Sequence, residues 1–155
     1  MIRASLLALV CVVALGTTAC GSKPKKPVTK AQYEQQLQRL GDDLVNTGSQ
    51  IGQHLDIATF NEDISTFQDH LRAASKELKG VQPPPDARGP NERLAEGFHD
   101  LADALEPVKD ARRDSLPKAA KAFGAARKSP PALEGRAAVK QLQKRGYAVG
   151  QVASL

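Results

Sequence analysis

From Phe60 to Val81 the apolar residues recur at alternating steps of four and three: Phe60, Ile64, Phe67, Leu71, Ala74, Leu78 and Val81. On a helix this spacing draws one narrow, unbroken seam, and such a seam is buried by laying it against another helix. "PPP" (Pro83 to Pro85) follows at once and forbids the helix to continue, because proline lacks the backbone N–H and clashes with the preceding turn. The chain must therefore turn back. Beyond the prolines the same alternation resumes near Pro90 with Leu94, Phe98, Leu101, Leu105, Val108 and Arg112. Two antiparallel helices packed across a proline elbow are the smallest structure that satisfies both runs.

The remaining segments extend the same reading. "TKAQ" fits a capping box with Thr29 as N-cap and Gln32 reaching back, and Tyr33, Leu37, Leu40, Leu44 and Ile51 continue as one stripe, with Thr47 or Gly48 filling the missing place. This helix ends at Asn46 or continues, bent, to Leu55. "TFNE" (Thr59 to Glu62) offers a second capping box, and Gly80 a left-handed stop with Val81 folding back. Pro107 kinks the third helix or splits it at Leu105. A fourth segment spans Ser115 to Lys128 with Leu116, Ala119, Ala120 and Phe123 apolar. The last runs from Pro130 to Arg145, capped by Ser129 and stopped by Gly146 and Tyr147. Tryptophan is absent, aromatic content is 4%, and period-2 runs of β-branched residues are missing. The expectation is an all-α, antiparallel up-and-down bundle of three to five helices over residues 29–155.

The start of the chain carries a different signal. Arg3 precedes an uncharged run of 16 residues, positions 4–19. That is short for a membrane span, which needs about 20 apolar residues, and suits the apolar region and small-residue cleavage site of an export signal. "TTAC-GS" resembles the lipobox of bacterial lipoproteins, with Ala19 before Cys20 and Thr17 where that family usually carries leucine. The resemblance implies that residues 1–19 are removed and that the Cys20 sulfur receives a diacylglycerol, palmitate-type anchor. It implies a protein held at the cell membrane on its extracytoplasmic face, at the outer surface or in the periplasm. Ordinary secretion and an uncleaved anchor remain alternatives. Cys11, inside the removed segment, is the sole other cysteine, so the mature chain would rely on packing rather than cross-links. Residues 20–28 read as a basic tether; "SKPKKPVTK" holds four lysines and two prolines. The break "VQPPPDARGP" followed by "ERLAEGFHDLADALEPV" is similar to small helical envelope lipoproteins that pair two long helices across a proline-rich elbow. That resemblance implies a fold and neither an activity nor a site.

Charge is unevenly placed. Thr29 to Glu106 holds 14 acidic and 7 basic residues, and Pro107 to Leu155 holds 3 acidic and 11 basic. One consequence is self-complementarity, with the basic C-terminal helices lying on the acidic hairpin. The other is an anion-contact face built from Lys109, Arg112, Arg113, Lys118, Lys121, Arg127, Lys128, Arg136, Lys140, Lys144 and Arg145. Such a face would meet anionic lipid, a cell-wall polymer or an envelope protein. Nucleic acid is not an expected partner, since Phe123 and Tyr147 are the only aromatics in this half and both fit core or capping roles.

Catalytic patterns are missing. Asp42–Asp43 and Glu62–Asp63 are neighbours in sequence, so on a helix they diverge by about 100° and form no acid/base dyad. "GSK" and "GPNER" lack the phosphate-loop glycines, and no CxxC occurs. The reading is a non-enzymatic binding or scaffolding module without a cofactor. The alternative is a metal or small-ligand protein that uses the bundle interior. Among His54, His70 and His99, the pair His70 and His99, with Asp69 and Asp103 near, would be the metal ligands if the second and third helices are antiparallel.

Overall fold

The computed structural model describes residues 26–51, 53 and 56–155. The expected export segment 1–19, the expected lipid-attachment residue Cys20 and the expected tether as far as Lys25 lie outside these residues, as do Gly52, His54 and Leu55. Among the described residues there are six α-helices: α1 (Lys30–Gly48), α2 (Ile57–Gly80), α3 (Arg88–Ala104), α4 (Glu106–Asp114), α5 (Leu116–Ala126) and α6 (Pro130–Lys144). Short 3₁₀ segments cover Pro85–Ala87 and Gly150–Ser154. Among the described residues there is no strand, and the chain is an all-α helical bundle.

Helices α1, α2, α3 and α6 form an up-and-down body. Cross-contacts fix each neighbouring pair as antiparallel. Asp43 meets His70 while Gln36 meets Glu77; the Gln68 amide donates to the Ala102 carbonyl while Asn91 reaches Leu78; Arg93 meets Gln141 while Gly97 meets Gly135. The seam residues Phe60, Ile64, Phe67, Leu71, Ala74 and Leu78 are all buried, together with Tyr33, Leu37, Leu40 and Leu44 from α1 and Leu94, Phe98 and Leu105 from the third run. Each large aliphatic side chain so buried stabilises the fold by roughly 1.5–3 kcal/mol before chain entropy is charged against it.

Two close approaches seal the body. A Cβ on Gly97 would lie 3.0 Å from the Gly135 Cα, so α3 and α6 touch backbone to backbone. A Cβ on Gly41 would lie 2.4 Å from the Val152 nitrogen, because the Gly150–Ser154 segment folds back onto α1. This last segment bridges α6 to α1. It enters through Gly146 (φ 77°), where the Tyr147 N–H bonds to the Leu142 carbonyl and the Gly146 N–H to the Gln143 carbonyl. This is the left-handed glycine stop expected there.

Local caps decide the boundaries. Thr29 and Gln32 form the expected capping box, with Thr29 N–H on the Gln32 side-chain oxygen at 2.9 Å. Helix α1 stops at Gly48. Helix α2 begins earlier than "TFNE" predicts: Asp56 is the N-cap, and its carboxylate accepts from the Thr59 N–H at 2.8 Å. The carboxylate competes better than the threonine hydroxyl for the positive helix start. Gly80 does not adopt the expected left-handed conformation. Val81 leaves the helix extended (φ −86°, ψ 151°), a direction suited to the prolines ahead, and Gln82 offers its carbonyl to the Val28 N–H at 2.8 Å. Ser129 precedes α6 as expected, but its hydroxyl donates backwards to the Ala126 carbonyl at 2.7 Å.

Pro107 splits the third run. Helix α3 ends at Ala104, and α4 starts at Glu106 after Leu105. Helices α4 and α5 then fold on each other around Ser115, whose hydroxyl caps α5. This hairpin is an arm inserted between the third and fourth helices of the body. Helix α4 attaches it to α2, where the Arg112 guanidinium lies 5.7 Å from the Phe60 ring centroid and the Gln68 amide bonds Glu106 at 3.1 Å.

Candidate functional site

Helix α5 covers the body without filling the space beneath it. Its sequence, LPKAAKAFGAA, has two large apolar residues. Leu116 points outward and is 47% exposed; Phe123 is half-buried against the body. Of the apolar residues named for this segment, Ala119 is buried, while Leu116 and Ala120 face solvent. Between Phe123 and Arg127 at the end of this helix and the seams of α1, α2 and α3 lies a cavity of about 290 Å³, half-open to solvent. Leu44 and Val45 of α1, Phe67 and Leu71 of α2, and Phe98 and Leu101 of α3 form its walls. Phe123 roofs it. The polar residues that touch it, Ser49, Arg127 and Ser154, are exposed and therefore form its rim. A narrower apolar space of about 30 Å³ between α3 and α6 shares Phe98, Leu101 and Leu155 with it.

Gly48 helps to shape this cavity. It stands at the place in the α1 stripe that lacks an apolar side chain, and a Cβ there would lie 3.2 Å from the Phe67 ring. Sequence reasoning read Phe67, Phe98 and Leu101 as core and missed the void they border. The available signal was that α5 brings a single large apolar residue, Phe123, to the leucines and phenylalanines that line the cavity.

The cations of the C-terminal half divide into two groups. Lys118 is paired with Asp114 at 3.0 Å, Lys109 with Glu106 at 2.7 Å and Arg113 with Asp110 at 3.5 Å, each within its own hairpin. Arg136 donates to the Leu155 oxygen at 3.2 Å, and Arg145 donates to the Asp86 carbonyl. Lys121, Arg127, Lys128, Lys140 and Lys144 are exposed and make no ion pair among the described residues. Lys109 and hydrogen bonding by Gln68 hold the Glu106 carboxyl below its ordinary value.

The basic half does meet the acidic one at the elbow. There the Tyr147 hydroxyl donates to Asp86 at 2.6 Å, and the Ala148 N–H to Glu34 at 2.9 Å. Burial, then the Asp86 hydrogen bond, pushes the Tyr147 phenol up to about 12. Its ring stands edge-on to Tyr33, centroids 5.7 Å apart. The Tyr33 hydroxyl is itself buried and donates to Asn91 at 3.0 Å.

The histidines do not assemble. His70 Nδ1 lies 2.6 Å from the Asp43 carboxylate and 3.3 Å from the Thr47 hydroxyl, both on α1. His99 Nε2 lies 4.0 Å from Asp103 on its own helix. Asp69 and Asp103 are both taken by Arg72. Among the described residues no three His, Cys, Asp or Glu side chains come together as a metal site. The expected His70–His99 grouping is corrected on that ground: the helices are antiparallel as required, but His70 sits on the flank of α2 that faces α1.

Fold and cavity together define an all-α up-and-down bundle with an inserted helical arm over an apolar pocket. Comparison with known protein families, with curated proteins and with solved structures finds no match to this chain. Among the described residues no helix is long and apolar enough to cross a membrane.

Proposed function

We propose that the chain is an extracytoplasmic lipoprotein, tethered to the cell membrane by a diacylated Cys20, whose bundle is a non-enzymatic binding module. Support for the anchor comes from the small residues around Ala19–Cys20 and the basic, proline-bearing spacer ahead of Val28. The observation that carries the binding role is the set of exposed cations without ion pairs: Lys121, Arg127, Lys128, Lys140 and Lys144. Cations left unpaired on one half of a molecule attract anionic surfaces at a distance set by ionic strength. Lys118, Arg136 and Arg145, already engaged, contribute less to that surface.

Two measurements test this. The intact mass of protein made in its own host should show a diacylglyceryl group on a chain beginning at Cys20, absent from Cys20→Ala. The protein should also bind vesicles of anionic lipid through the bundle, and weaken when Lys121, Lys128, Lys140 and Lys144 are changed to glutamine. An unmodified chain removes the anchor. Retention on vesicles that salt and these substitutions leave unchanged removes the contact surface.

The cavity beneath α5 favours a second reading, a small-ligand protein that uses the bundle interior. It does not extend to a metal, because His70 and His99 are committed to separate partners.

A further inference from the structure

The cavity beneath α5 has the features of a site for one alkyl chain. Its walls are aliphatic and aromatic, and every polar group that lines it stands at the rim. At about 290 Å³ it lies at the small end of ligand pockets, which run from roughly 300 to 1,000 Å³. A methylene occupies about the volume of a water molecule, roughly 30 Å³, so the space holds on the order of ten. Apolar walls with the polar groups confined to the rim suit a hydrocarbon tail with one polar end.

The rim chooses the head group. Arg127 closes the last turn of α5, lines the cavity, and makes no ion pair among the described residues. Lys128 follows it, equally without an ion pair there. A planar guanidinium at the mouth of an apolar pocket matches a carboxylate or phosphate oxygen pair. Entry does not require the body to open. The cavity already opens to solvent on the side of Ser49, Arg127 and Ser154.

We propose that this cavity binds a single-chain anionic amphiphile, its tail of about ten carbons between α5 and the body and its head group on Arg127. This deepens the small-ligand reading and is independent of the lipid anchor. An unmodified Cys20 in a protein that binds the amphiphile leaves the cavity assignment standing; an acylated Cys20 in a protein that does not bind removes the cavity assignment alone.

The test is calorimetric titration of the full chain carrying Cys20→Ala, below micelle-forming concentrations. The probes are octanoate, decanoate, tetradecanoate and decyltrimethylammonium. Affinity should rise about fourfold per methylene from octanoate to decanoate and then level off as the cavity fills. Decanoate should bind at least tenfold more tightly than decyltrimethylammonium. Arg127→Glu should erase that preference, and Val45→Phe, which fills the cavity, should abolish binding of both with helix content kept. If Val45→Phe unfolds the chain, Arg127→Glu at its exposed position carries the test. Absence of heat with decanoate overturns the proposal. So does equal binding of the two head groups, and so does affinity that keeps rising through tetradecanoate, the behaviour of an open apolar surface.

Discussion

The four-helix body and the α4–α5 arm are built from the same kind of amphipathic helix, yet they close differently. In the body, large apolar side chains stand at most turns of the seams, and glycine appears where backbones meet: Gly41 under Val152 and Gly97 against Gly135. In the arm, alanine occupies most of the inward face of α5, and its glycine, Gly124, has nothing within 4 Å of where a Cβ would stand. Small residues at a crossing bring helices together only when something large beside them fills the flanks. Without that filling they leave room. The body is therefore a packed core and the arm a cover over a space, and local opening should separate the two.

The glycines give the sharpest way to break this contrast. Gly41→Ala places a methyl 2.4 Å from the Val152 nitrogen and 2.9 Å from the Gln151 carbonyl carbon. Both are backbone, so neither can rotate away. Overpacking of this kind costs about 1–3 kcal/mol and sometimes more. The gain in helix propensity, about 0.5–1 kcal/mol, offsets only part of that. Denaturant titration should show a loss of about 2 kcal/mol, with early exchange of the amides at Gly150–Ser154 and Tyr147. Unchanged stability would mean that the C-terminal segment does not seal the body.

Asn91 tests the body from its polar side. It is 3% exposed, accepts from the Tyr33 hydroxyl at 3.0 Å and donates to the Leu78 carbonyl at 2.9 Å. Asn91→Ala orphans both partners, and a buried polar group without a partner costs roughly 1–3 kcal/mol. The expected loss is about 2 kcal/mol. Adding Tyr33→Phe should recover part of it, since the second substitution removes one of the two orphans. A double variant worse by the full sum of its parts would show that the triad is not coupled.

The arm should respond in a different observable. Phe123 is the one large inward side chain of α5, half-buried over the cavity. Phe123→Ala should cost about 1 kcal/mol, well below the 3–5 typical of a fully buried phenylalanine. The change should appear chiefly as lost amide protection along α5 and the second half of α4. Protection in α1, α2 and α3 should hold. If protection falls equally in all of them, arm and body are one cooperative unit.

Much of the body was legible in the sequence because its signals are local and redundant. The Phe60–Val81 seam, the prolines after it and the Gly146–Tyr147 stop each state one thing about one helix, and they agree. The start of α2 was harder, because the capping-box spacing from Thr59 to Glu62 competes with Asp56, the stronger single cap, for one helix start. The arm was read as a continuation of the bundle, since Val108 and Arg112 keep the spacing of α3 across Pro107. Arg112 in fact stacks on Phe60 of α2. The cavity was illegible for a different reason: a void is a property of two facing surfaces. Phe67 and Phe98 look like core residues whatever stands opposite. The histidines show the same limit, since His70 one place off the seam could face either neighbour and faces α1.

Gly124→Ala supplies the smallest expected effect and completes the contrast. In the middle of α5 a glycine costs about 0.5–1 kcal/mol relative to alanine through the entropy of the unfolded chain. With no heavy atom within 4 Å of the new methyl, no packing term opposes that gain. The same chemical change that breaks the seal at Gly41 should therefore stabilise α5 here, by a few tenths to 1 kcal/mol, seen as slower exchange of the arm amides with the body unaffected. Should decanoate also bind less tightly to Gly124→Ala while α5 exchanges more slowly, the flexibility of the arm contributes to ligand entry. Should Gly124→Ala destabilise α5, the arm packs on the body more closely than its alanines imply, and the difference between the two regions narrows.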